Sequence, residues 1–313
     1  MKVVLLESLG VSPEDMEDFK VKVENLGHEF QSYERSNDED VLKERVKDAE
    51  ILIIANMPLK ESVIRSASKL KFINVAFTGV DHLDIDVCKE LGIKVSNASG
   101  YSNQSVAELT ICMMLSLLRN VKETEDRCRQ LQNKDGLVGN EIANKTVGII
   151  GVGQIGHRVA EILNVFGCKV LGYRRNPVKD DIVEYVDLEN LLKSSDIVTI
   201  HCPLNESTKN LISEKELKMM KNSAILINAA RGPICNQEDL VKALDNKVIR
   251  AAGIDVYDIE PPLISDHIML KAKNTLLTPH IAFATKESMI YRKNIVLDNL
   301  VEYTKGKQIN IVL

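Results

Sequence analysis

The 313-residue chain contains no tryptophan, and aromatic residues reach only 4% of it. Aliphatic side chains must therefore build its core. No C-x-x-C pair occurs either. The six cysteines, Cys88, Cys112, Cys128, Cys168, Cys202 and Cys235, are scattered. That spacing gives neither a disulfide framework nor a zinc site, and unpaired thiols fit a reducing compartment. No run approaches the roughly 20 apolar residues of a membrane span. The apolar start Val3-Val4-Leu5-Leu6 is too short for a signal peptide. A charge bias is missing too: 40 basic side chains face 45 acidic ones, for a net charge of -5. This excludes a broad basic field for nucleic acid or an anionic membrane. Disorder is excluded in turn, because 44% of the residues are hydrophobic. What is present is a chain long enough for about two domains at roughly 150 residues each. Its expected location is the cytoplasm.

Short β-branched runs alternate with longer amphipathic stretches. Val3–Leu6, Ile51–Ile54, Phe72–Val75, Val147–Ile150, Lys169–Tyr173, Ile197–Ile200 and Ala224–Ile227 read as strands. Helical patterns separate them, the first opened by Ser12 as N-cap and Pro13 at the first helical position. Such βαβα alternation implies an α/β fold with parallel sheets. One segment departs from the rhythm. Ser102 to about Gln132 reads as helical almost throughout, with Val106, Leu109, Met113, Leu117 and Leu118 on one face, and suits a connector between domains. The last helical pattern, Lys286 to Tyr303, could return to the first domain.

The sharpest local feature is Gly151-Val152-Gly153-Gln154-Ile155-Gly156. A strand leads into it and a helical pattern leads out. Glycines there permit a tight turn, close approach to a pyrophosphate and close helix–strand packing. The helix N-terminus adds unpaired N–H groups and a partial positive charge. Dinucleotide binding is the preferred reading over a purely structural turn. An NAD site usually places an acid about 20 residues after the glycines, on the ribose hydroxyls. Here Arg174 and Arg175 stand at that place. An arginine can pair with a 2′-phosphate through its planar fork, which favours NADP over NAD. The competing reading is two solvated arginines stacking on adenine, with NAD still used.

Of six histidines, His280 has company. It lies in Thr278-Pro279-His280, after a β-like run. Arg231 lies in Asn228-Ala229-Ala230-Arg231-Gly232, and Glu260 closes Gly253-Ile254-Asp255-Val256-Tyr257-Asp258-Ile259-Glu260. All three follow strands, so all can gather at the carboxyl-end crevice of an α/β sheet, where ligands bind.

These residues resemble the D-isomer-specific 2-hydroxyacid dehydrogenases, a family that includes glyoxylate/hydroxypyruvate reductases and phosphoglycerate dehydrogenases. The resemblance covers nearly the whole chain. It rests on Thr78-Gly79-Val80-Asp81-His82, Ser105-Val106-Ala107-Glu108, the glycine turn, His201-Cys202-Pro203-Leu204, Asn228 to Gly232, Gly253 to Pro261 and Thr278 to Thr285, in that order. It implies two Rossmann-like doubly wound domains with a cleft between them. Residues 1–98 plus 286–313 would form a discontinuous substrate domain, and residues 99–285 the dinucleotide-binding domain. It further implies a homodimer and a 2-keto or 2-hydroxy acid as the small-molecule partner.

By the same resemblance Arg231, Glu260 and His280 are the catalytic triad. Reducing a 2-keto acid needs hydride on C2 and a proton on the carbonyl oxygen. Histidine suits the proton transfer, since imidazole ordinarily titrates at about 6.5. Glu260 would hold the ring, and Arg231 would grip the substrate and orient C2. The plainer reading of Arg231 and Glu260 is a structural ion pair. Glutamate at 260 disfavours formate, because formate dehydrogenases carry glutamine there. Expected cofactor contacts are the glycine-turn residues Gly151, Gly153, Gln154, Ile155 and Gly156, then Arg174 and Arg175, His201, Cys202 and Pro203, and Ala229. Asp255 is expected on the nicotinamide carboxamide. Thr78, Gly79 and Val80 would receive the substrate carboxylate, and Tyr101 and Phe283 would wall its side chain. Phe283 packing between domains is the equal alternative. No metal is expected, His201 having no second ligand. A dinucleotide-sensing protein like the family's co-repressors is the competing function, since those keep the triad too.

Overall fold

The computed structural model describes residues 1–260 and 262–313, so Pro261, the last residue of the motif that begins at Gly253, lies outside the described residues. The chain forms two compact units, Met1–Ser102 with Ala284–Leu313, and Asn103–Phe283.

In the first unit the chain alternates strictly: β1 (Lys2–Leu5), α1 (Pro13–Asn25), β2 (Glu29–Ser32), α2 (Glu39–Val46), β3 (Ile51–Ile54), α3 (Glu61–Ser66), β4 (Phe72–Val75), α4 (Ile85–Glu90) and β5 (Lys94–Asn97). The five strands form a parallel sheet in the order β2-β1-β3-β4-β5. Every residue of β3 is buried, as expected of a strand covered on both faces. Ser12 caps α1 by accepting the Asp15 N–H at 3.1 Å, with Pro13 as first helical residue.

The second unit opens with α5 (Asn103–Leu118) and α6 (Val121–Arg129). The sequence pattern suggested one continuous helix to about Gln132. The structure breaks it at Asn120, whose φ is +50°. The Arg250 guanidinium holds the break, donating to the Leu117 carbonyl at 3.2 Å and to Asn120 Oδ1 at 3.1 Å. Ile111, Met113, Met114 and Leu118 of α5 pack into the unit's own core against Val147, Ile149 and Ile227. In contrast, α6 buries nothing, and Leu131 and Val138 beyond it are 97% and 79% exposed.

The remaining elements are β6 (Thr146–Ile150), α7 (Gln154–Val165), β7 (Lys169–Tyr173), β8 (Glu184–Tyr185), α8 (Leu188–Ser194), β9 (Ile197–Ile200), α9 (Glu214–Met219), β10 (Ile225–Asn228), α10 (Gln237–Asp245), β11 (Ala251–Ile254) and β12 (Thr275–Leu277). The seven strands are parallel in the order β12-β11-β10-β9-β6-β7-β8. Strand order reverses between β6 and β9, which makes their carboxyl ends the crevice where such sheets bind ligands.

The chain then re-enters the first unit as α11 (Lys286–Thr304), capped by Thr285 and Ser288. Its Tyr303 ring stacks on Phe72 of β4, centroids 4.2 Å apart. The following residues cover the β5 edge. The Val95 N–H donates to the Leu313 carbonyl, the Val312 N–H to Val95, and the Asn97 N–H to Asn310. An edge strand with its backbone groups paired is no longer a template for another chain.

Candidate active site

Gly151 follows β6 at φ +95°, a conformation that favours glycine, and its N–H donates to the Tyr173 carbonyl at 2.8 Å. Helix α7 starts at Gln154 with no side-chain cap. The N–H groups of its first turn therefore have no intrahelical partner and point at whatever lies before the turn. The glycines divide the work. A Cβ on Gly156 would sit 2.3 Å from the Gly151 carbonyl oxygen, so a bare Cα is needed for the turn to fold on itself. A Cβ on Gly153 would meet nothing within 4 Å, so this face of the turn is open. An open, uncapped helix N-terminus at a switch point fits a pyrophosphate, and the donors it would need are those N–H groups.

A hollow of about 680 Å³ lies beside the turn. It is lined by Gly151, Gly153, Arg174 and Arg175, and by His201, Cys202 and Pro203. Arg174 is half-buried and donates through Nη1 to the Val152 carbonyl at 3.0 Å. Arg175 donates through Nη2 to Ser207 Oγ at 3.0 Å. His201 Nε2 lies 2.9 Å from Thr199 Oγ1, and burial pushes the imidazole down to about 4, so it is neutral at physiological pH. Burial also pushes the Cys202 thiol up to about 11, which keeps it protonated and unreactive. Sequence reasoning missed Asn205, Ser207 and Thr208, which line the same hollow after β9. Their only signal was a polar turn following a strand at the switch point.

Gln154 and Ile155 open α7; the Gln154 side-chain oxygen accepts from Asn103 Nδ2 at 3.1 Å. Ile155 packs on a small cluster of Val106, Ala229 and Ala282. That cluster joins the glycine turn to the end of β10 and to the segment just past His280.

Adjacent strands β10, β11 and β12 are in register, Asn228 beside Ile254 and Ile254 beside Leu277. Arg231, Glu260 and His280 thus leave the same end of one sheet. His280 Nδ1 lies 2.6 Å from Glu260 Oε2, with the imidazole 15% exposed. This contact fixes the tautomer with Nδ1 as donor and makes Nε2 the nitrogen that exchanges a proton. The Phe283 ring meets the imidazole edge-on, centroids 5.4 Å apart.

His280 has φ +56°, a strained conformation for a non-glycine residue. Asp255 holds it there. Its carboxylate, fully buried, accepts the Thr278 hydroxyl at 2.5 Å and the Ile281 and Ala282 N–H groups at 2.9 Å each. The His280 N–H donates to the Asp255 carbonyl at 2.8 Å. The segment carrying Glu260 is held as well. The Tyr257 hydroxyl donates to the Thr278 carbonyl at 3.0 Å, and His267 Nε2 meets Asp258 Oδ1 at 2.7 Å. Neither Tyr257 nor His267 was assigned a role from sequence, since each acts only through a neighbour brought close by folding. Arg231 sits in a turn where its Nη1 donates to the Ala230 carbonyl at 2.8 Å. A Cβ on Gly232 would come within 2.0 Å of the Tyr257 carbonyl group, so only glycine lets the two segments touch.

Thr78, Gly79 and Val80 belong to the first unit, just past β4. The Thr78 carbonyl accepts from Asn97 Nδ2 at 2.7 Å. Tyr101 is buried there too, its ring 6.2 Å from Phe77 and 5.7 Å from the Arg292 guanidinium. Among the described residues no group of His, Cys, Asp and Glu could hold a metal ion.

Residues 111–282 match the family model described as D-isomer specific 2-hydroxyacid dehydrogenase, NAD binding domain. A hydroxypyruvate reductase of Blautia hydrogenotrophica is 34% identical, the match covering 100% of this chain and 99% of that one. An acyclic imino acid reductase solved with NADPH and D-Arg superposes with a TM-score of 0.92 at 28% identity, covering 100% of both chains. The NAD-complexed D-isomer specific 2-hydroxyacid dehydrogenase of Lactobacillus delbrueckii ssp. bulgaricus does so with a TM-score of 0.80 at 30% identity, again over 100% of both.

Proposed function

The chain belongs to the family of D-isomer-specific 2-hydroxyacid dehydrogenases, and we propose from that premise that it reduces a 2-keto acid to the D-2-hydroxy acid, using NADP(H) in preference to NAD(H). The observation that carries the reading is the 2.6 Å contact between His280 Nδ1 and Glu260 Oε2. When bound, the nicotinamide dinucleotide supplies or accepts the hydride. The protein's own residues do the rest. His280 Nε2 gives a proton to the carbonyl oxygen during reduction and takes it back during oxidation. Glu260 holds the ring in the right tautomer. Arg231 grips the substrate carboxylate or carbonyl, and the backbone N–H groups of Gly79 and Val80 receive the carboxylate. Phe283 and Tyr101 wall the substrate side chain.

Gly151, Gly153, Gln154, Ile155 and Gly156 hold the pyrophosphate, and His201, Cys202 and Pro203 flank the dinucleotide. Ala229 and Asp255 serve its nicotinamide end, with Asp255 also anchoring the His280 turn. Arg174 and Arg175 face the ribose 2′ position and supply the preference for NADP(H), a choice supported by their place beside the turn. Relatives named for catalysis favour turnover over a dinucleotide-sensing role. The exposed Leu131 and Val138 beyond α6 support a homodimer through the second unit. Six free cysteines support a cytoplasmic location.

The test is a panel of pyruvate, hydroxypyruvate, glyoxylate and branched or aromatic 2-keto acids, each run with NADPH and NADH, with chiral analysis of the product. D-2-hydroxy acid formed with the higher kcat/KM on NADPH is the expected result. No turnover of any member, or an L product, contradicts the reaction. An equal or better kcat/KM on NADH contradicts the cofactor choice alone.

A further inference from the structure

The loop from Arg174 to Val183 is fastened at both ends. At its start Arg174 holds the Val152 carbonyl of the glycine turn, and Arg175 holds Ser207. At its far end Asp180 does the fastening. Asp180 Oδ1 accepts the Ile182 and Val183 N–H groups at 3.0 and 3.2 Å. Its Oδ2 lies 3.2 Å from Nε2 of His157, and the Asp180 side chain is only 7% exposed. His157 stands on α7, next to Gly156. Its other ring nitrogen, Nδ1, lies 3.4 Å from Glu161 Oε1. The second oxygen of Glu161 takes the Arg158 guanidinium at 2.6 Å. Lys179 and Asp181 line the same hollow, about 620 Å³ in volume.

A neutral imidazole has one N–H and can donate to one carboxylate, whereas the cation has two and can meet both. His157 between Asp180 and Glu161 therefore bridges the phosphate-binding helix and the arginine-bearing loop. Nothing in hydride or proton transfer uses it. We propose that His157 is a positioning residue for cofactor choice: its 3.2 Å contact with Asp180 pins the loop to α7, so that Arg174 and Arg175 are held ready at the ribose 2′ position. The inference rests on the reading that these arginines receive a 2′-phosphate. It adds the residue that keeps them in place.

Two consequences separate this role from a general one in folding. Loss of the bridge loosens only the loop, so binding of NADPH suffers while NADH, which has no 2′-phosphate, is unaffected. A lysine at position 157 restores the bridge through its own ion pair with Asp180. The experiment measures KM and kcat for NADPH and NADH with one 2-keto acid, in the wild-type protein and in His157→Gln, His157→Lys and Asp180→Asn. His157→Gln is expected to raise KM for NADPH about fivefold or more, the size of a contact worth about 1 kcal/mol. KM for NADH and both kcat values stay within about twofold. Asp180→Asn keeps the Oδ1 acceptor for the loop N–H groups and is expected to act like His157→Gln, while His157→Lys stays near wild type. An unchanged KM for NADPH in His157→Gln overturns the proposal. So does an equal rise for both cofactors, or a His157→Lys variant as impaired as His157→Gln. A wild-type protein with no preference for NADPH removes the premise instead, and that result is read from the wild-type rows alone.

Discussion

His280, the proposed acid–base group, has a backbone conformation at φ +56° that L-residues rarely adopt. The buried Asp255 carboxylate offsets that strain by taking three donors from residues 278, 281 and 282. Asp255→Ala leaves those donors without an acceptor. At roughly 1 kcal/mol or more for each, the expected loss of stability is about 3 kcal/mol by denaturant unfolding. A loss below about 1 kcal/mol contradicts the anchoring role. His201 gives a pH-dependent prediction. Burial holds it at about 4 in the folded chain, against about 6.5 when unfolded. As pH falls the unfolded state takes up the proton first, so stability is present at pH 7 and is lost as pH drops from about 6.5 toward 4. Between pH 7 and pH 5 the wild-type chain should lose about 2 kcal/mol more than His201→Gln. Equal losses contradict an imidazole held neutral in the folded chain.

At the scale of elements, the glycine turn is the sharpest case. Gly156→Ala places a methyl group 2.3 Å from a backbone oxygen, which cannot rotate away as a side chain would. The turn must open, and titration with NADPH should show at least about tenfold weaker binding. Unchanged affinity contradicts the role given to the turn. The same scale shows what could be read from sequence. Strands β1, β3, β4, β6, β7, β9 and β10 were visible as β-branched apolar runs because parallel strands inside a sheet are buried on both faces. Strands β2, β5 and β8 escaped notice, and each is a sheet edge or ends one. Their sequences, Glu29–Ser32, Lys94–Asn97 and Glu184–Tyr185, carry polar residues because one side meets solvent or another segment. The break at Asn120 was equally hidden. Arg250, distant in sequence, holds it, and no helical periodicity can report such a partner.

For the whole molecule, the chain passes from one unit through the second and back, leaving the first after Ser102 and returning at Ala284. The residues proposed to carry the chemistry, Arg231, Glu260, His280 and the glycine turn, are visible in the sequence because each stands at the end of a recognisable strand. The residues that aim them, Tyr257, His267, Gly232 and Asp255 as an anchor, were legible only after folding, since their roles consist of contacts. The near balance of charge likewise hid the local grouping of Arg174 and Arg175 beside one hollow. In the proposed reaction His280 exchanges the proton of 2-keto acid reduction. The most direct test is the rate of NADPH oxidation with the best 2-keto acid of the panel, compared between wild type and His280→Ala at equal folded concentration. The expected result is a fall in kcat of at least about 100-fold, the usual contribution of a general acid. A variant within about threefold of wild type would contradict it.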